Sequence, residues 1–342
     1  MFLAARRNAR NPPRDHRPGA RFAMNNSHQA LIRDMADSLF ADLAARGAGN
    51  EAKDNIWAEI EALSLQDLLV GQETGGFGGS WKDAGIVFHA AGRHGLALPV
   101  GETILARSWL SRMGVALPGG PVGFVLAEGI DGRQGRPRSA GDRQRLVLDR
   151  RHWTLLSAGD GGVVASGPMM LDAEALLFEA ALLRSCQIAG ATEAMLALSV
   201  DHVIGRVQFG KPLARLQAVQ QQLAVLAGEC AAVACASASA CQAATFGDAR
   251  FEIAAAKWRA NRAAVISVDI AHQVHGAIGF TREYPLHRFS LQALKWRGEQ
   301  GSEQYWAHWM GRFTLAARPR PLWHWLTTRS DRLLEAEREA LK

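Results

Sequence analysis

The chain has 342 residues, 48% of them apolar, enough to bury a full core spread over two or three subdomains. A formal charge of +6 and a pI near 9.5 invite a nucleic-acid reading, but the excess sits at one end. Residues 1–23 hold Arg6, Arg7, Arg10, Arg14, Arg17 and Arg21 against Asp15 alone; removing those six and one from the chain's 39 basic and 33 acidic residues leaves 33 against 32. No basic binding face, and hence no nucleic-acid partner, is expected.

The same first segment carries Pro12, Pro13 and Pro18 and no helical apolar stripe, which predicts a disordered basic tail over 1–23. Its Arg-rich, acid-poor composition suits a transit peptide, but serine and an apolar face are lacking. Met24 is an alternative translation start. No run of about 18 apolar residues is present, so no membrane span is expected, and the chain reads as cytoplasmic. Cys186, Cys230, Cys235 and Cys241 fit neither a zinc spacing nor a Cys-x-x-Cys pair. They read as buried thiols in a reducing compartment, with no metal site.

In chain order, Leu31, Met35, Leu39 and Leu43 share one face of a helix over 28–46, stopped by Gly47 and Gly49. Trp57, Ile60 and Leu63 begin a second, short helix, followed by the turn-rich Gly75-Gly76-Phe77-Gly78-Gly79. Two more helices are predicted over 82–94 and 101–113, so residues 24–117 form an N-terminal helical domain. After Pro118-Gly119-Gly120 the segments Val122–Leu126, Leu146–Leu148, Trp153–Leu156 and Gly162–Val164 are short, β-branched or aromatic, and separated by Gly, Asp and Arg clusters. A β domain over 118–172 is too short for a closed barrel and suffices for a small sheet. From 173 the chain turns to long helices over 173–204, 214–245, 250–276 and 285–297, whose apolar periodicity and short connections predict an antiparallel four-helix bundle. Trp306, Trp309, Trp323 and Trp325 follow in a terminal extension of the 173–342 domain, suited to the core or to a subunit interface.

Two breaks between these helices carry polar chemistry. The first, Arg206-Val207-Gln208-Phe209-Gly210-Lys211-Pro212-Leu213, followed by Gln217-Ala218-Val219-Gln220, places a guanidinium suited to a diphosphate beside a glycine that lets the backbone turn. The second, Gln273-Val274-His275-Gly276-Ala277-Ile278-Gly279-Phe280, combines an amide with glycines that admit a ligand close to backbone. His275 reads as a packed or surface histidine.

With the earlier Leu68-Leu69-Val70-Gly71-Gln72-Glu73-Thr74-Gly75-Gly76-Phe77-Gly78-Gly79 turn, these segments resemble the acyl-CoA dehydrogenase family over residues 28–312. The resemblance implies a mainly α fold with a small β insert: N-terminal helical domain, truncated β domain and C-terminal four-helix bundle. It also implies FAD as cofactor, an acyl-CoA thioester as substrate, α,β-desaturation, an oligomer, and an electron-transfer flavoprotein as acceptor. By that resemblance Arg206 neutralises the pyrophosphate of a neighbouring subunit's FAD, and Gln208 and Phe209 pack around its adenosine-side half, with Gln217 in the same segment. Gln273 supplies a hydrogen bond, while Gly276 and Ala277 bring backbone close to adenine and ribose. Ala277 replaces a second family glycine, a minor departure if its φ is negative.

Gln300 lies sixteen positions after Tyr284, where the family carries its catalytic glutamate. Gly301, Ser302 and Gln304 keep the family's pattern, in which Ser302 and Gln304 contact FAD. Gln300 retains a backbone N–H for the thioester carbonyl, but its amide cannot accept a proton, and losing a general base forfeits about 10²–10⁴ in rate. Glu299, adjacent to it, and Glu179, at the start of the helix 173–204, are the candidate substitutes. The family's flavin-holding loop is represented only by Glu128 and Gly132 within Ala127–Gln134, and its second flavin element by Trp153-Thr154.

The chain therefore resembles the short subunits of heteromeric acyl-CoA dehydrogenases, often acting on steroid-derived or other bulky acyl-CoA thioesters. Two versions stay open: a competent enzyme with Glu299 or Glu179 as base, or a non-catalytic subunit that completes a full-length partner's FAD site. A flavin-dependent oxidase on the same scaffold and a purely structural bundle are the readings from other classes.

Overall fold

The computed structural model describes residues 18–47, 53–127, 143–208, 210–318 and 321–340. Helix α1 (Pro18–Gly47) begins inside the segment expected to be a tail; proline is tolerated in a first helical turn, where its missing N–H has no intrahelical partner. The rest of that segment lies outside the described residues. Ala36, Phe40 and Leu43 bury one face of α1, and Arg46 at its end donates two hydrogen bonds to Glu59 of α2 (Lys53–Ala62) at 2.6 and 2.7 Å. Helix α3 (Trp81–Arg93) starts on a capping box in which Ser80 and Asp83 satisfy each other's backbone N–H groups, and α4 (Val100–Arg112) follows.

Four strands then form one open sheet in the order β1 (Val122–Leu126), β2 (Gln144–Leu148), β3 (His152–Leu156) and β4 (Val163–Pro168). β1 and β2 are parallel, and the other pairs are antiparallel. Val122, Leu126, Leu146, Leu148, Trp153 and Leu155 are buried; their period of two within each strand puts them on the face toward the helices.

The C-terminal part is a bundle of α5 (Ala173–Gly205), α6 (Gln217–Phe246), α7 (Arg250–His275) and α8 (Leu286–Gly298). α5 is its axis, packing on α3, α6, α7 and α8. The crossing with α3 is close because two glycines face it: a Cβ on Gly190 would stand 2.0 Å from the His89 carbonyl, and one on Gly92 2.1 Å from that of Gln187. One apolar cluster joins the N-terminal helices, the sheet and the first half of α5; a second lies among α5, α7 and α8.

Beyond the bundle run α9 (Glu303–Ala317) and α10 (Leu322–Ala340). Trp306 is fully buried against Phe178 and belongs to the core, whereas Trp323 is exposed. Cys186, Cys230 and Cys241 are buried as expected; Cys235 is exposed. No unbroken run of about 18 apolar residues is present, although α5 and α6 are long and apolar enough to cross a membrane by length and mean composition alone. Much of the apolar surface of α5 is buried within the bundle, but that of α6 is covered far less. Ala224, Val225, Ala227, Gly228, Ala231 and Ala234 form an exposed, uncharged face on α6.

Candidate functional site

The C-terminal ends of α5 and α7 meet the N-terminal end of α6 around a cleft of about 710 Å³. Arg206 caps α5 with extended backbone, and the chain then makes a short hairpin, β5 (Val207–Gln208) with β6 (Lys211–Pro212), before α6. Opposite, α7 ends at Gly276, whose φ is +63°. A Cβ there would meet nothing within 4 Å, so the missing side chain leaves backbone open to the cleft. Arg206, Gln208, Gln222 and Gln273 supply donors, and no carboxylate is among the lining residues. One fixed cation, three amides and accessible backbone fit an anionic dinucleotide such as FAD.

His202 and His275 also line this cleft, with their rings stacked at 4.5 Å. His275 is buried. Because a carbonyl can only accept, its Nδ1–H donates to Ala271 at 2.7 Å, leaving Nε2 to accept from the Tyr284 hydroxyl at 3.0 Å. Burial holds the pKa of His275 below the ordinary value. Burial, then the charges of His275 and Arg206, do the same for His202.

The base-position loop lies elsewhere. Gln300 is buried, adopts φ 50° and leaves Oε1 without a hydrogen-bond partner. Its carbonyl accepts Trp306 Nε1–H at 2.9 Å, and Asn261 Nδ2 donates to the Gly301 carbonyl at 3.1 Å. Buried Lys257 holds Asn261 at 2.6 Å and the Trp296 carbonyl at 3.1 Å. Glu299 is ion-paired with Arg184 of α5 at 2.7 Å, and Arg184 reaches Glu102 of α4 at the same distance. Burial alone would raise the Glu102 carboxyl, but the charge and hydrogen bond of Arg184 together hold it below the ordinary value. Glu179 accepts Trp109 Nε1–H at 2.5 Å and pairs with Arg112 at 2.8 Å.

Of the residues expected to hold a cofactor, Arg206, Gln208, Gln273, Gly276 and Ala277 share the cleft. Ala277 has no positive φ, so replacing the glycine costs no backbone strain. Gln217 opens α6 beside the lining residue Ala218 but does not line the cleft itself. Ser302 caps α9, accepting the Tyr305 N–H at 3.2 Å, and Gln304 follows it on the exposed side; both are near the Gln300 loop rather than the cleft. Phe209, Glu128 and Gly132 lie outside the described residues. Trp153 is buried in β3, and Thr154 faces the opposite side of the sheet. His202 and Gln222 were not among the expected residues. His202 stands four residues before Arg206, a spacing that already places it on the same helical face.

The family model for the acyl-CoA dehydrogenase C-terminal domain matches residues 172–313. The chain is 28% identical to acyl-CoA dehydrogenase IpdE2 of Mycobacterium tuberculosis over 76% of its own length and 90% of that protein. Its fold is similar to a steroid ACAD, Tcur3481–Tcur3483, with TM-score 0.71 and 20% identity over 86% of this chain and 99% of that one. It is also similar to the ChsE4–ChsE5 complex from Mycobacterium tuberculosis, with TM-score 0.70 and 19% identity over 85% and 98%.

Proposed function

We propose that the chain is a member of the acyl-CoA dehydrogenase family and, within it, the subunit of a flavin-dependent acyl-CoA dehydrogenase that completes the cofactor site of a non-identical partner. The observation that carries this reading is the separation of two half-sites. The Gln300 loop is tethered to Arg184, which at 1.5 Å per residue lies roughly 33 Å along α5 from Arg206. One FAD does not span both, because its diphosphate is only a ribityl chain away from its ring. The Arg206 cleft and the Gln300 loop therefore do not belong to one and the same flavin site.

In this proposal Arg206 holds the diphosphate, Gln208, Gln222 and Gln273 hydrogen-bond the nucleotide half, and the backbone at Gly276 and Ala277 approaches it closely. When bound, FAD supplies the hydride acceptor for α,β-desaturation of an acyl-CoA thioester. Gln300 has no proton-accepting group, and the carboxylates of Glu299 and Glu179 are engaged by Arg184 and Arg112. The general base is therefore assigned to the partner.

The uncharged exposed face of α6, continuous with the cleft through Ala218 and Val219, supports a subunit contact there. Tcur3481–Tcur3483 and ChsE4–ChsE5 each name two chains, and the first is described as a steroid ACAD; a bulky acyl thioester is the substrate class proposed here. Anaerobic addition of such a thioester should bleach the flavin of the assembled pair. Bleaching by this chain alone would overturn the proposal.

A further inference from the structure

A second cavity, of about 340 Å³, opens between α1, α3, α5 and α6, within the size range of small-molecule sites. Its lining residue Glu193 is roughly 20 Å along α5 from Arg206, and none of the chemistry above uses it. The floor is apolar: Gly85, Ala189 and the thiols of Cys186 and Cys241, all buried.

Ser237 is the exception on that floor. It is only 4% exposed, and its hydroxyl has no hydrogen-bond partner. A helical serine commonly returns its hydroxyl to the carbonyl four residues back, as Ser185 and Ser199 do here at 2.8 and 2.7 Å. Ser237 instead lines the cavity, and a buried hydroxyl is costly to leave unmet.

The mouth is cationic. Arg33, Lys82 and Arg93 stand there with Asp37 and Glu193. Asp37 is already engaged by His94 at 2.9 Å and Arg93 at 3.3 Å, and Glu193 by His89 at 3.1 Å and Arg93 at 3.5 Å. An anion can thus approach without facing an unpaired carboxylate.

We propose that this cavity binds a small amphipathic anion: an aliphatic carboxylate whose apolar body carries a hydroxyl or keto oxygen. The body lies against the alanines and thiols, the oxygen meets Ser237, and the carboxylate faces Arg33 and Lys82. The site is independent of the flavin cleft and makes no use of a flavin.

Calorimetric titration of decanoate and its ω-hydroxy derivative into the full chain, alone and assembled with its partner, tests this. Both should bind, the hydroxy derivative about 3- to 10-fold more tightly, which is the net worth of one hydrogen bond. Ser237→Ala should abolish that preference, leave decanoate binding intact and leave the unfolding midpoint unchanged or raised. Ala238→Trp, at an exposed position on the rim, should block both ligands while FAD retention is unaffected. Absence of binding by either probe overturns the proposal. So does a preference that survives Ser237→Ala, or binding that survives Ala238→Trp.

Discussion

Arg184 and Glu299 form an ion pair at 2.7 Å that ties the axis helix of the bundle to the loop where a catalytic base is expected. Arg184 is 6% exposed at its side chain and also holds Glu102, so its removal strands Glu102 and leaves Glu299 only the exposed Lys295 at 3.9 Å. Arg184→Met, which keeps much of the packing volume, should cost about 3 kcal/mol in urea unfolding. Glu299→Gln should lower turnover of the assembled enzyme less than about 10-fold, whereas a working base would lose about 10²–10⁴.

That pair also marks the limit of sequence reasoning. Strand β1 was legible as Val122–Leu126 because a Pro-Gly-Gly turn precedes a β-branched run, and the start of α5 was legible at 173 from the onset of long apolar helical periodicity. The meeting of Arg206 with Gln273 follows from helix length and alternation: three successive helices joined by short turns bring the ends of α5 and α7 together. The engagement of Glu299 was not legible. An arginine inside an apolar helix has no periodic signature of its partners, and Arg184 finds them on α4 and after α8 through packing alone. The burial of His275 was hidden for the same reason, since it depends on Tyr284 folding back across α5.

Arg206→Ala should weaken FAD retention in the assembled oligomer by about 10- to 100-fold, the range for hydrogen bonds to a charged group. Arg206→Lys should fall between, because an ammonium keeps the charge but loses the planar fork. Equilibrium dialysis of FAD measures both, and unchanged retention in the alanine variant would remove the cleft's assigned role.

Three histidines near the cleft, His202, His272 and His275, have folded pKa values below the ordinary 6.5, each chiefly through burial. Between those values and 6.5 the unfolded chain binds more protons than the folded one, so stability rises with pH. Their contribution is fully present above 6.5 and is lost as pH falls through the folded values. The thermal midpoint should therefore decline as pH falls below about 6.5, before the carboxylates begin to titrate. His275→Phe should flatten the decline; an unchanged slope would contradict the assignment.

Trp306 packs on Phe178 at 5.1 Å between ring centroids and donates to the Gln300 carbonyl. Trp306→Ala should cost about 3–5 kcal/mol in chemical denaturation. Trp306→Phe retains most of the packing but leaves that buried carbonyl without its donor, for about 1–3 kcal/mol.

The central claim, that this chain lends its Arg206 cleft to a partner's flavin and lacks a complete flavin site of its own, is tested most directly by flavin stoichiometry. The chain is purified alone and with a full-length acyl-CoA dehydrogenase partner, and released FAD is counted against each polypeptide. The account predicts no tightly held FAD in the chain alone and one FAD for each pair of unlike chains. One FAD per chain in a homo-oligomer would contradict it.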